Sequence, residues 1–254
     1  METKDQQQQQ AQQFPSFANV LKPSAGSRLP TAIPGLDPLI QGGLNRGDFL
    51  LLSGGIGAGK TTFSCQFAYN GATFLNEPAV FASFEEDSLS LKRNMLRFGM
   101  DLEALERDGK IKVMDLEILE GQGMGSNMEV LLSALDKIQG KRLVVDSLTA
   151  FLTGAKDKFD YRFLMHLIYK TLKREGVTTM MTISRMQNDN QVLGIGIEEF
   201  VADGIFQLES YVTDSMELRT RFLVRKLRGC DHSRKYHSVA FSHEGIQILP
   251  WSSS

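Results

Sequence analysis

Apolar residues fall along this chain in two alternating patterns. Short, mainly apolar runs occur at Phe49 to Leu52, Pro78 to Phe84, Leu143 to Val145 and Val177 to Ile183, with only Ser83, Thr178, Thr179 and Thr182 as hydroxyl residues among them. A run with apolar residues on both of its alternating faces predicts a strand covered on both faces. Between the runs, apolar residues recur at helical spacing, which predicts helices over 61–76, 126–138 and 161–173. A further helix opens at Asp87 or Ser88, takes Leu89, Met95, Leu96 and Phe98 as its apolar side, and closes at Gly99. Ser126 and Glu129 are spaced as a capping box, ahead of a stripe of Val130, Leu131, Ala134, Leu135 and Ile138. The helix over 161–173 turns Phe163, Leu164, Leu167, Ile168 and Leu172 inward. A short helix over 101–107 and a short strand from Ile111 to Met114 complete this half. From Gly204 the pattern changes. Gly204 to Tyr211, Glu217 to Lys226, Tyr236 to Phe241 and Ile246 to Leu249 read as consecutive strands with short connections. The expected fold class is therefore α/β: a mostly parallel central sheet flanked by helices, ending in antiparallel strands.

Two regions fall outside this rhythm. Residues 1–27 hold an unbroken Gln tract, Gln6 to Gln10, and predict a disordered tail that buries too little to order itself. The folded domain is expected over 28–254. Its first turns are marked by Gly35, Gly42-Gly43 and Gly47. A length of 254 residues suits one large domain or one domain plus a tail. A net charge of -2 excludes a globally basic nucleic-acid binder but not a local basic patch. Two cysteines, Cys65 and Cys230, are too few for a disulfide framework or a metal cluster. No apolar run approaches the roughly 20 residues of a membrane span, and the N-terminus is Gln-rich where a signal peptide is apolar. The expectation is a cytoplasmic protein.

The chemistry starts where the first strand ends. Gly54, Gly59, Lys60 and Thr61 satisfy G-x-x-x-x-G-K-[ST], and the stretch reads Gly54, Gly55, Ile56, Gly57, Ala58, Gly59, Lys60, Thr61, Thr62. Glycines let such a loop curl and aim N–H groups at phosphate oxygens. The helix that follows adds unpaired N–H groups and a positive dipole end. Lys60 would reach the β- and γ-phosphates of ATP, and Thr61 would ligate Mg²⁺.

Three further candidates follow. Asp146 closes the strand Leu143 to Val145 and fits the second magnesium-holding position, although an Asp there can also merely cap a turn. Glu85 and Glu86 follow another strand, on the rim where doubly wound sheets bind ligands. Adjacent side chains point apart, so one would orient the attacking water; spacing does not say which, and both could instead cap the next helix. The third is basic: Arg219, Arg221, Arg225, Lys226, Arg228, Arg234 and Lys235 face only Asp231. Such a stretch is commonly a solvated strand face. It could also bind phosphate, because strand alternation puts Lys226 and Arg228 on one side.

Taken in order, PGLDPLIQGGLNRGD, SGGIGAGKTTF, FASFEED, the strand with Asp146-Ser147, IEEFVADGIFQLE, and VRKLRG with His232 resemble the KaiC family of the RecA superfamily. The resemblance runs from about residue 30 to the C-terminus. It implies a RecA-like P-loop NTPase assembled into a homo-oligomeric ring, usually a hexamer, with ATP at subunit interfaces. It also implies that Lys226, Leu227 and Arg228 of one subunit, with His232, reach the nucleotide of the next. The likeness is greatest to the first of that family's two repeats, the ATPase repeat. The Ser-Thr phosphorylation pair of the second repeat falls at Glu199-Phe200; neither carries a hydroxyl, which argues against clock-type autophosphorylation there. Ser184 stands where the first repeat has a Glu. The function expected is a slow regulatory ATPase. Two other classes stay in view: a nucleotide-dependent switch or scaffold that docks a regulatory protein, and a recombinase-like DNA-binding ATPase. The loop Arg185 to Ile195 has one cation and no aromatic, which disfavours nucleic acid as a partner.

Overall fold

The computed structural model describes residues 28–116, 124–151, 158–184 and 201–251. The Gln-rich tail, the loop over 185–195 and the Glu199-Phe200 pair lie outside the described residues. The strands are β1 Phe49–Gly54, β2 Ala79–Ser83, β3 Ile111–Asp115, β4 Arg142–Asp146, β5 Thr178–Ser184, β6 Gly204–Val212, β7 Leu218–Leu227, β8 His237–Ser242 and β9 Gly245–Leu249. The helices are α1 Lys60–Phe74, α2 Ser88–Leu96, α3 Leu102–Arg107, α4 Met124–Ile138, α5 Leu148–Phe151 and α6 Lys158–Arg174. All nine strands form one sheet in the order β3-β2-β4-β5-β1-β6-β7-β8-β9. The pairings from β3 through to β6 are parallel, and those among β6, β7, β8 and β9 are antiparallel.

Burial on both faces explains why the runs carry apolar residues on both. In β1, Leu50 and Leu52 face one core with Phe63 and Phe67 of α1, while Phe49 and Leu51 face a second core with Met165, Ile168 and Leu172 of α6. Side chains alternate across a strand, so a strand sandwiched between helix layers is largely apolar on both faces, with the buried hydroxyls of Ser53, Ser83, Thr178, Thr179 and Thr182 as exceptions. The N-terminal segment packs Ile33, Leu36 and Ile40 into the same core as Leu50 and Leu52, and closes a turn on its own side chain. The Asp37 carboxylate accepts from Thr31 N–H, Thr31 Oγ1 and Ala32 N–H.

Helix faces differ from the periodic expectation in several places. Asp87 does cap α2, accepting from Ser90 N–H, but Leu91 and Met95 are its buried positions while Leu89 and Leu96 lie exposed. In α6, Phe163 is 63% exposed and Leu167 is also exposed; Met165, Ile168 and Leu172 are the buried residues. In α4, Val130 is exposed beside buried Leu131 and Leu135. The helix begins at Met124, so Ser126 lies inside its first turn and is not its N-cap. A periodic stripe wider than the contact with the sheet leaves its margins in solvent, and only packing decides which margin. Among the described residues no helix is long and apolar enough to cross a membrane.

Candidate nucleotide site

Parallel pairing brings the ends of four strands to one rim. Gly54 at the end of β1 is level with Ser184 at the end of β5, and Ser83 at the end of β2 is level with Asp146 at the end of β4. The loop between Gly54 and Lys60 rises from this rim. Gly57 and Gly59 sit at φ 75° and 90°, the left-handed region that side chains rarely adopt. At Gly59 a Cβ would also lie 2.6 Å from the Phe241 ring, so a larger residue there would have to displace that ring as well as strain the backbone.

The polar groups converge beside this loop. Lys60 Nζ donates to the Gly55 carbonyl at 3.0 Å. Burial lowers the pKa of Lys60, while the carboxylates of Asp146 and Glu85 pull it back up. Thr61 Oγ1 donates to Asp146 Oδ2 at 2.7 Å. Thr182 of β5 donates its hydroxyl to the other oxygen of Asp146. Glu85 Oε1 accepts from Ser147 Oγ at 2.7 Å. Its neighbour Glu86 turns away: its carboxylate accepts from Asn94 of α2, and its main chain is bound by Ser83 Oγ. A cavity of about 440 Å³ opens over the loop, within the range of small-molecule sites. Lys60, Thr61, Glu85 and Asp146 line it together with Ser184, Phe98 and Phe241. Glu86 is not among its lining residues.

The basic stretch lies elsewhere. Leu227 pairs with Gly204, and Gly204 is level with Leu50, four residues before Gly54. At ~3.3 Å per residue the pair Lys226 and Arg228 stands on the opposite rim, about 13 Å or more from the chain's own loop. The pair does converge. Lys226 Nζ donates to the Ala202 carbonyl at 2.6 Å, and Arg228 reaches Asp203 at 3.4 Å. Arg228 lies one residue beyond the end of β7, so strand alternation does not set its direction; its contact with Asp203 does. His232 is half-buried on the loop that follows, its Nδ1 paired with the Ser233 carbonyl at 3.0 Å.

Thr182, Phe98 and Phe241 were not singled out as site residues from the sequence. Thr182 had a faint signal, a hydroxyl inside an apolar run. Phe241 had none. Its place over Gly59 depends on the β8–β9 hairpin folding back on α1, where the Gln66 side chain pairs with both N–H and C=O of Ile246 at 2.6 and 3.0 Å.

Strand, glycine loop, Lys-Thr helix start and rim carboxylates, set in this sheet order, define a RecA-like P-loop ATPase fold. A family model described as the KaiC ATPase matches residues 29–253. The chain belongs to the KaiC family. It is 33% identical over 231 residues to the circadian clock oscillator protein KaiC of Acaryochloris marina, covering 88% of this chain and 44% of that protein. It is 35% identical over 229 residues to a KaiC of Prochlorococcus marinus, covering 87% and 46%. The chain thus spans about half the length of the curated relatives it matches. The crystal structure of a KaiC-like protein from Pyrococcus horikoshii superposes with a TM-score of 0.78 at 34% identity, covering 88% of this chain and 99% of that one.

Proposed function

We propose that this chain is a Mg²⁺-dependent ATPase that works slowly, as a regulatory element, inside a homo-oligomeric ring. The observation that carries this is the direct Thr61–Asp146 hydrogen bond at 2.7 Å on a rim that also holds Lys60 and Glu85. A P-loop threonine and a strand-end aspartate in contact are the two protein donors that a magnesium–nucleotide complex uses. Their hydroxyl and carboxylate oxygens are hard donors that suit this ion. Among the described residues no cluster of three or more His, Cys, Asp or Glu could hold a metal. The ion would be kept by one hydroxyl, one carboxylate and the nucleotide's own phosphates. When bound, the ion would neutralise charge developing on the phosphates.

The residues divide the work. The loop from Gly54 to Thr62 holds the phosphates with its N–H groups, and Lys60 supplies the cation. Glu85, fixed by Ser147, accepts the proton of the attacking water; Glu86 serves α2. Phe98 and Phe241 wall the cavity with flat faces suited to a base. Lys226 and Arg228 stand on the rim opposite the chain's own loop, which supports their service, with Leu227 between them and His232 beyond, to the loop of an adjacent copy. A cation delivered across an interface is worth ~10³–10⁵ in phosphoryl-transfer rate.

Phosphate release from Mg²⁺-ATP tests the chemistry. The full chain is expected to release phosphate above a Lys60→Ala control, and equality of the two would overturn the assignment. Native mass spectrometry in Mg²⁺-ATP tests the ring, with a closed oligomer expected and a monomer at working concentration counting against it.

A further inference from the structure

One buried carboxylate has no part in the cavity. Asp203 stands just before β6, on the rim opposite the glycine loop, and is only 3% exposed. Its Oδ2 accepts from Lys173 Nζ at 2.7 Å and from Phe49 N–H at 3.1 Å. Its Oδ1 accepts from Tyr169 Oη at 3.3 Å and from Arg228 at 3.4 Å. The main chain is clamped as well. Asp203 N–H donates to the Phe49 carbonyl at 2.8 Å, and Arg228 N–H donates to the Asp203 carbonyl at 2.8 Å. The preceding residue, Ala202, accepts Lys226 Nζ at 2.6 Å. Two consecutive residues therefore hold both cations of the basic pair.

Charge neutralisation does not require this arrangement. Lys173 already pairs with Asp203 at the shorter distance, and buried ion pairs add little net stability. The arginine is held through backbone and side chain at once, yet its side chain stays 51% exposed. The guanidinium is therefore ordered by Asp203 while about half of the side chain remains open to solvent. An arginine searching its rotamers would have to be ordered each time a phosphate arrived. One already ordered does not.

We infer that Asp203 is a positioning residue that holds Arg228 directly, and Lys226 through the carbonyl of its neighbour Ala202, in the attitude in which they meet a nucleotide phosphate on an adjacent copy of this chain. This rests on the assignment of the basic pair to a neighbour's site. Lys173 and Tyr169 of α6 support the carboxylate from behind, so α6 is coupled to the basic pair through one residue.

Complementation between inactive full-length chains tests it. Asp203→Asn is expected to lower kcat on the order of 10²-fold, the scale of a misplaced catalytic group, with the KM for ATP little changed, because its own loop is intact. Mixed with Lys60→Ala chains it regains activity, since those chains supply an ordered Arg228 to its loop. Mixed with Arg228→Ala chains it does not. A folded Asp203→Asn with unchanged kcat overturns the inference, and so does a loss that persists after mixing with Lys60→Ala, which would mark a defect within its own site. If Asp203→Asn does not fold, Lys173→Gln carries the same test: a smaller fall in kcat, recovered by Lys60→Ala chains, supports positioning, and an unchanged or unrecovered kcat overturns it. A parallel mixture of Lys60→Ala with Lys226→Ala/Arg228→Ala separates the two levels. No recovery there defeats the shared-site assignment itself, whatever Asp203→Asn does.

Discussion

Glu77→Gln should destabilise the domain more than any surface change of equal size. Its partner Arg142 opens β4 with no exposed surface. Arg142 Nε donates to Glu77 at 2.8 Å, and the remaining guanidinium nitrogens reach the carbonyls of Phe67 and Pro30 at 2.7 Å each and of Thr31 at 3.4 Å. The guanidinium lies 4.4 Å from the centre of the Phe67 ring, and Gly71 of α1 is the residue that leaves it room. Removing one member of a buried pair costs about 3–5 kcal/mol. Glutamine keeps an acceptor, and the carbonyls still serve the other nitrogens, so about 3 kcal/mol is expected. The second pair of Glu77, with Arg46 at 3.3 Å, is largely exposed on the arginine side and adds less than about 1 kcal/mol. For a domain of this size each kcal/mol moves Tm by about 2–4 °C, so the expected fall is about 6–12 °C. Differential scanning calorimetry without nucleotide, at fixed protein concentration, measures it. Glu77→Gln/Arg142→Met should recover much of the loss, because the double change removes the buried charge along with its partner. A Tm shift under about 2 °C, or a cycle additive within ~0.5 kcal/mol, would refute the reasoning.

Three other outcomes follow from the same geometry. Glu85→Gln is expected to lower kcat by about 10²-fold or more, and Glu86→Gln by clearly less; steady-state phosphate release measures both, and the reverse order would move the water-orienting role to Glu86. Phe241→Ala should weaken nucleotide binding about tenfold, within the ~1–3 kcal/mol of one base–aromatic contact; a fluorescent-nucleotide titration with unchanged Kd would count against a base on that wall. Burial pushes the Glu106 carboxyl up, but Lys92, the Val113 N–H and Lys112 outweigh it and hold it below the usual range. Its stabilising effect is therefore present above its unfolded pKa and is lost as pH falls through the folded value. Glu106→Gln should lower Tm slightly at pH 7, by under ~1 kcal/mol for this half-screened group, and not at all well below pH ~4; an equal loss at both pH values would exclude the linkage.

Several parts of the fold and site could be read directly from the residues. Phe49 to Leu52 had to be a central strand because it is apolar at every position, and the loop after it had to curl because its glycines sit where left-handed backbone is needed. Asp146 was visible because it ends an apolar run, as Gly54 does. The helix faces were less legible. Phe163 and Leu167 share the helical period of Ile168, and only contact with β1 and β5 separates the buried member from the exposed ones. Arg142 and Asp203 could not be seen as structural centres. A buried charge is tolerable only with its full set of partners, and those of Arg142 come from residues 30, 31, 67 and 77.

The sequence alone determined the covalently local matters: the strand–loop–helix around Lys60, the alternation that makes a parallel sheet, and the switch to consecutive strands after Gly204. These depend on neighbours a few residues apart, where periodicity and backbone stereochemistry decide. Tertiary structure decided which of two adjacent glutamates faces the cavity, since that rests on Ser147 reaching Glu85 and Asn94 reaching Glu86. It also decided that Lys226 and Arg228 stand on the rim opposite the loop that Lys60 serves. Strand direction and sheet order set that separation, and both are properties of pairing between distant segments.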